Sequence, residues 1–324
     1  MTPRRRTWYN SAVIPIAEIR AARKAIEGRA LRTPLVRLNY PESSREIYLK
    51  LESLQPIASF KLRGAINAFR LAPPEEIAKG VFTASAGNWA QGIAWVAREK
   101  SIPCTIIVPD HAPKTKLAAI ERLGARHIDV PYDAWWQCMT ERRFDGVKGF
   151  FLHPVEDKPV MAGNGTIALE LLEDLPDPDV VLVPWGGGGL SSGIASGLAQ
   201  LRPETRVYGV EVETAAPLSA SFSAGEMTQV ERKPSFVDGI GSGGLLPKMW
   251  PLAQELLKGA FTASVAEVER ALRLLVERNR VVAEGAGAVP VAVALGDKVE
   301  GEKIVCIVSG GNIDTEVLLK VLEG

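Results

Sequence analysis

The sequence predicts an α/β fold of twisted, mainly parallel sheets with helices on both faces. Three observations predict it. Short apolar runs alternate with helical patterns along nearly the whole chain. Several of those runs end in glycine- and serine-rich turns that open a helix. At 324 residues, 46% hydrophobic and 23% charged, the chain can bury a large core and is neither disordered nor a disulfide scaffold.

Taken in order, the expected strands are Ile47–Glu52, Gly80–Ser85, Pro103–Pro109, Arg126–Val130, Gly149–His153, Val180–Trp185, Arg206–Glu211 and Lys303–Ser309. Each is short, apolar and bounded by turn residues or a helical pattern. The expected helices are Ser59–Leu71, Asn88–Arg98, Lys114–Leu123, Lys158–Leu172, Ser191–Leu201, Ala266–Arg278 and Ile313–Leu322. Ala266–Arg278 shows the clearest periodicity, with Val268, Ala271, Leu272 and Leu275 on one face. Glu213–Pro247, rich in Ser, Gly, Ala and Thr, is expected to be irregular and therefore functional or partly mobile. No repeat and no linker marks a boundary, yet two α/β lobes arise if one is inserted into the other.

Lys+Arg and Asp+Glu balance at 38 each. A zero net charge argues against a nucleic-acid or anionic-membrane partner and leaves small-molecule chemistry. The longest charge-free apolar stretch, Gly285 to Gly296, is too short to span a bilayer, which takes about 20 residues. The basic run Arg4, Arg5, Arg6 reads as a solvated end rather than a targeting signal. Cys104, Cys138 and Cys306 are odd in number and far apart, which fits reduced thiols in a cytoplasmic protein.

Four segments carry chemistry. In the first, the run Val180 to Trp185 ends in Gly186, Gly187, Gly188 and Gly189, and a helix follows. Glycines let several N–H groups converge, and a helix start adds unpaired donors and partial positive charge, so the segment suits a phosphate. A Walker loop is excluded, because no Gly-Lys-Ser/Thr follows. A dinucleotide site stays open, with Glu211 as the acid for a ribose, although Ser191 stands where the third fingerprint glycine belongs. The Gly189-Leu-Ser-Ser-Gly193 elbow of a hydrolase fails, because His111, His127 and His153 all precede it. The same histidines are scattered, show no metal-ligand spacing and read as surface or capping residues.

The second segment is Ala58-Ser-Phe-Lys-Leu-Arg-Gly64. Lys61 lies between two apolar residues close to a helix start, where a desolvated amine of lowered pKa can form a Schiff base. An exposed surface lysine is the competing explanation, and the segment alone does not decide. The third is Thr83 to Gly92, in which Ser85, Asn88 and free backbone N–H groups at a helix start suit a carboxylate. The fourth is Ile307-Val-Ser-Gly-Gly-Asn312, which presents Ser309 at a strand end, where ligands of open α/β sheets collect.

In combination and in chain order, S-F-K-x-R-G, S-x-G-N-x-x-Q-G, the tetraglycine and S-G-G-N resemble one family. The chain is similar to the threonine/serine dehydratases and serine racemases, the fold type II (β-family) pyridoxal 5′-phosphate enzymes. The resemblance covers nearly the whole chain. It implies a two-lobed architecture, with residues 1–53 and 151–324 as the large domain and 54–150 as a small inserted one. It implies that Lys61 carries the cofactor, Phe60 packs against its ring, Asn88 bonds its ring hydroxyl and Gly186 to Gly189 hold its phosphate. Ser309 would face the ring nitrogen, and Gly239 and Glu284 would lie beside the ring. Ser85, Ala86, Gly87, Asn88 and Trp89 would surround the substrate carboxylate.

The resemblance further implies a homodimer or homotetramer that removes water from a β-hydroxy-α-amino acid, giving a 2-oxo acid and ammonia. Departures refine this. Ala86 replaces the serine that racemases of the family use, which favours dehydration over racemisation. Trp89 replaces the usual histidine and is expected to reshape the pocket, bringing in aromatic substrates such as phenylserine beside threonine and serine. Some members bind a divalent cation through a loop matched by Glu211 and Ala215, but Pro217 stands in place of the aspartate, so a weak site or none is expected. The chain ends straight after its last helix, so no regulatory domain is expected.

Overall fold

The computed structural model describes residues 13–112 and 114–324. The basic run Arg4 to Arg6 lies outside the described residues. Among the described residues, ten strands form two sheets: β1 (Leu35–Arg37), β2 (Glu46–Leu51), β3 (Val81–Ala84), β4 (Cys104–Pro109), β5 (Arg126–Val130), β6 (Phe150–Phe151), β7 (Val180–Pro184), β8 (Arg206–Val212), β9 (Ala260–Ala263) and β10 (Lys303–Val308). The larger sheet runs β1-β2-β10-β7-β8-β9 and the smaller β5-β4-β3-β6. All pairings are parallel except β1 with β2.

Both sheets are covered on two faces, as strand alternation requires. In β7, Val180 and Leu182 join one apolar cluster and Val181 and Val183 another. In β10, Ile304, Cys306 and Val308 face the first cluster and Val305 and Ile307 the second. The smaller sheet repeats the arrangement, with Ile106 and Val108 on one side of β4 and Ile107 on the other. We propose residues 54–150 as the smaller lobe.

Every expected strand and helix has a counterpart within a few residues. The face of Val268, Ala271, Leu272 and Leu275 is buried. Its helix starts at a capping box, with Ser264 accepting from Glu267 N and the Glu267 carboxylate accepting from Ser264 N. It ends sooner than expected, at Leu274, and passes into a π-helical turn over Leu275–Asn279.

Some elements escape the pattern rules. Helix Gly285–Leu295 carries Gly, Ala and Val all round and contains Pro290. It is buried on every side from Gly285 to Ala294, so it has no polar face to give a period. Strands β1 and β9 have three and four residues, too few for alternation to register. The segment Glu213–Pro247 is not wholly irregular, because helix Pro217–Ala224 lies inside it. Proline at its first position and a nearby carboxylate acceptor start that helix. Among the described residues, no helix is long and apolar enough to cross a membrane. The three cysteines are buried and free.

Candidate active site

Three strand ends and one helix start converge on a cavity of about 470 Å³. After β3 come Ser85, Ala86, Gly87, Asn88 and Trp89; after β7 come Gly186 to Gly189; after β10 comes Ser309. Helix Lys61–Leu71 starts beside them, because Ser59 bridges Gly310 and Phe60 N donates to Ser309 O at 3.0 Å. Phe60, Lys61, Gly239 and Glu284 line the same cavity. Segments far apart in sequence are thus brought to one place by the C-terminal ends of parallel strands from both sheets.

Lys61 is the first residue of its helix. Its Nζ donates to Pro154 O at 3.2 Å and lies 5.2 Å from the Phe60 ring centroid and 5.7 Å from that of Trp89. Burial lowers its pKa to about 8, while the nearby Glu284 carboxylate acts to raise it. The amine is therefore partly neutral and nucleophilic near neutral pH, and the exposed-lysine explanation is excluded.

Gly188 takes a left-handed conformation, φ +94°, and starts helix Gly189–Leu201 with no side-chain cap. A Cβ on Gly187 would lie 2.6 Å from Val155 Cγ2, so only glycine fits between the helix start and the turn after β6. The first-turn amides lack intrahelical acceptors. The hydroxyls of Ser191 and Ser192 are buried there without a partner. Unpaired donors on a helix start fit a phosphate dianion. Helix Asn88–Glu99 likewise begins at Gly87 without a side-chain cap, leaving amides for a carboxylate.

Asn88 is held from both ends. Its Nδ2 donates to Glu284 Oε1 at 2.9 Å and Oε2 at 3.1 Å, and its Oδ1 accepts from Asn312 Nδ2 at 2.8 Å. Burial raises the Glu284 carboxyl to about 7, against the hydrogen bonds from Asn88. Trp89 lines the cavity, but its indole N–H turns away to Thr83 Oγ1 (2.9 Å) and Leu152 O (3.1 Å).

Sequence reasoning assigned no role to several neighbours. Asn312 belongs to the quoted S-G-G-N motif, and its place in that motif was the signal. Pro154 and Val155 follow a predicted strand, and the His-Pro pair that ends it was the only local sign. His153 is buried and its Nδ1 accepts from Val155 N and Glu156 N, a capping role. His111, Tyr132 and Trp135 make an aromatic wall, with the tilted ring pairs His111–Tyr132 and Tyr132–Trp135 at centroid separations of 6.2 and 5.5 Å. Lys116 and Asp238 form an ion pair at the cavity, which no sequence pattern announces.

Glu211 lies away from the cavity. Its carboxylate accepts from Leu218 N (2.9 Å), Ser219 N (2.8 Å) and Ser219 Oγ (2.9 Å). It is buried, so the alternative in which Glu211 takes a ribose is overturned: the oxygens are spent on the start of helix Pro217–Ala224. Ala215 pairs with Val212 in the same loop. Burial pushes the Glu211 carboxyl up to about 7, against those hydrogen bonds. A raised folded-state pKa gives stability that is present below the ordinary carboxyl range and lost as pH rises through about 7. The unfolding midpoint of the cofactor-free protein should therefore fall between about pH 5 and about pH 8, with Glu284 acting in the same sense. Denaturant titrations of Glu211→Gln should show a shallower fall, and an unchanged fall contradicts the assignment.

Comparison with known proteins agrees with this architecture. The family described as "Pyridoxal-phosphate dependent enzyme" matches residues 26–310. An L-threonine ammonia-lyase of Thermotoga maritima is 39% identical over 323 residues, covering 96% of this chain and 78% of that protein. A catabolic L-threonine dehydratase of Staphylococcus aureus is 35% identical and covers 100% of this chain and 96% of that protein. Among solved structures, maize serine racemase superposes with a TM-score of 0.89 at 30% identity, covering 96% of this chain and 97% of that one. Serine racemase of Dictyostelium discoideum gives 0.85 at 31%, covering 93% and 99%. A family match over residues 26–310 and a relative 39% identical over 96% of the chain, on a fold that brings Lys61 and the tetraglycine turn into one cavity, show that the chain belongs to the pyridoxal-phosphate-dependent enzyme family.

Proposed function

We propose that this enzyme removes water from a β-hydroxy-α-amino acid to give a 2-oxo acid and ammonia. The observation that carries the proposal is the partly buried amine of Lys61 in one cavity with two uncapped helix starts, one suited to phosphate and one to carboxylate. Pyridoxal phosphate, when bound, supplies the carbonyl that joins amines and the conjugated system that draws electron density from the α-carbon.

The chain's own residues do the rest. Gly186 to Gly189 would hold the phosphate with the free amides of the helix start. Phe60 packs against the ring, and Gly239 and Glu284 lie beside it. Asn88, fixed by Glu284 and Asn312, orients its hydroxyl side. Ser309, which lines the cavity, would face the ring nitrogen of the bound cofactor; a serine there would not enforce protonation as an aspartate does, and the weaker electron sink would favour loss of the β-hydroxyl. The amides from Ser85 to Trp89 hold the substrate carboxylate. Lys61 takes the α-proton onto Nζ, and the Pro154 carbonyl keeps that nitrogen in place.

Ala86 lines the cavity and offers no proton donor, which favours dehydration over racemisation. Relatives named for threonine favour threonine as substrate, and the wall of His111, Tyr132 and Trp135 extends the range to aromatic analogues such as phenylserine. We infer that Glu211 and Ala215 hold no tightly bound cation, because both Glu211 oxygens already accept from the chain and Pro217 supplies no ligand. Free, buried thiols fit a cytoplasmic protein, and the homodimer or homotetramer is what the family resemblance implies.

Assay of threonine, serine and phenylserine tests the proposal. Release of 2-oxo acid, without accumulation of the opposite enantiomer, is expected from at least one of them. Racemised serine without 2-oxo acid release contradicts it.

A further inference from the structure

Trp89 has two contacts that bear on Lys61. Its ring centroid lies 5.7 Å from Lys61 Nζ, within the reach at which a ring face attracts an ammonium. Its indole N–H is fixed to Thr83 Oγ1 at 2.9 Å and to Leu152 O at 3.1 Å. Thr83 Oγ1 itself donates to Leu152 O at 2.7 Å. These bonds matter because β3 and β6 pair over only two residues, and Leu152 N to Phe82 O closes that ladder. Beyond Leu152 the chain is held by side chains alone. Trp89 and Thr83 fix the Leu152 carbonyl, and His153 Nδ1 fixes the amides of Val155 and Glu156. Between those two anchors lies Pro154, whose carbonyl accepts from Lys61 Nζ at 3.2 Å.

We propose that Trp89 is a positioning residue for Lys61: its ring face holds the ammonium form of the amine, and its indole N–H fixes the strand end that presents the Pro154 carbonyl. The inference deepens the proposed function by resting on Lys61 as the amine that joins the cofactor. Trp89 is buried, 2% exposed, and its indole N–H bonds are made out of water, where they are strongest, while its ring meets the partly buried Lys61 at the cavity wall. Glu284 is the carboxylate that acts on the Lys61 charge. Asp238, Lys116, Arg232, His111 and Tyr132 also line the cavity, and Lys116 pairs with Asp238.

The test uses the full chain in two forms. In the cofactor-free protein, acylation of Lys61 by an amine-selective reagent is followed against pH by peptide mass analysis. The wild-type midpoint is expected at about 8. Trp89→Leu removes one of the two rings that favour the ammonium and leaves Phe60 at 5.2 Å, so its midpoint should fall by about 0.5 to 1.5 pH units. Trp89→Phe keeps a ring but loses the N–H, and its midpoint should stay near that of wild type. In the holoenzyme, Trp89→Phe and Thr83→Val each remove one of the two donors that fix the Leu152 carbonyl. Each should lower kcat by about 10-fold to 100-fold with KM little changed.

A wild-type midpoint in a folded Trp89→Leu overturns the ring contact. Should Trp89→Leu fail to fold, the other two variants decide, and unchanged kcat in both overturns the positioning role. Failure of Lys61 to join the cofactor leaves the labelling midpoints readable, so the two proposals fail separately.

Discussion

Lys61→Ala is expected to lower 2-oxo acid release by about 10⁴-fold or more, the scale of losing the nucleophile and proton acceptor that Lys61 is proposed to be. No other amine can replace it. Lys116 is the other lysine lining the cavity, and its ammonium is committed to Asp238. Lys61→Arg should be as inactive as Lys61→Ala, because a guanidinium stays protonated at every working pH and forms no imine. That pair of variants separates chemistry from charge. If Lys61→Arg retained more than about a tenth of wild-type turnover, the amine would be serving only as a positive charge.

The second large effect concerns stability. Arg63, two residues after Lys61, is buried with Glu52, Glu170 and Lys50 in one ion-pair network. Its Nε donates to Glu52 Oε2 at 2.8 Å and its Nη1 to Glu170 Oε1 at 2.6 Å. Lys50 Nζ donates to Glu170 Oε2 at 2.7 Å, and Thr33 Oγ1 to Glu52 Oε1 at 2.6 Å. Burial pushes the Glu52 carboxyl up, yet Arg63 holds it below the usual carboxylate range. Burial likewise lowers Lys50 against the pull of Glu170.

Arg63→Met leaves two buried carboxylates with one cation. Removing one partner of a buried pair costs about 3–5 kcal/mol. Denaturant unfolding should show a loss on that scale. A loss below about 1 kcal/mol would mean that water enters the network and screens it. The network ties the start of the Lys61 helix to β2 and to helix Lys158–Asp174, so cofactor retention should weaken in the same variant.

The site was legible where chemistry forces an unusual residue into a local pattern. Four glycines after an apolar strand, and a lysine between Phe60 and Leu62, are visible in one window of sequence. The parallel strands were legible because apolar runs buried on both faces contrast with amphipathic helices. What was not legible depends on side chains meeting across the fold. Glu52, Arg63 and Glu170 look like ordinary surface charges until β2 and two helices bring them together.

Trp89 shows the same limit from the other side. As an isolated substitution it predicts a reshaped pocket. Only the position of Leu152 and Thr83 shows where its indole N–H goes. Glu211 was read as an acid available to a ligand, because sequence shows the strand end and not the helix start that occupies its oxygens. Helix Gly285–Leu295 lacked a period because burial on all sides leaves no polar face.

The central claim is a covalent one: the Lys61 nitrogen joins the cofactor's aldehyde carbon. Borohydride reduction of the holoenzyme, followed by peptide mass mapping, tests it most directly. A stable pyridoxyl adduct on the peptide containing Lys61, absent from Lys61→Ala, is the predicted result. An adduct on another lysine, or none in protein that retains the cofactor, contradicts it.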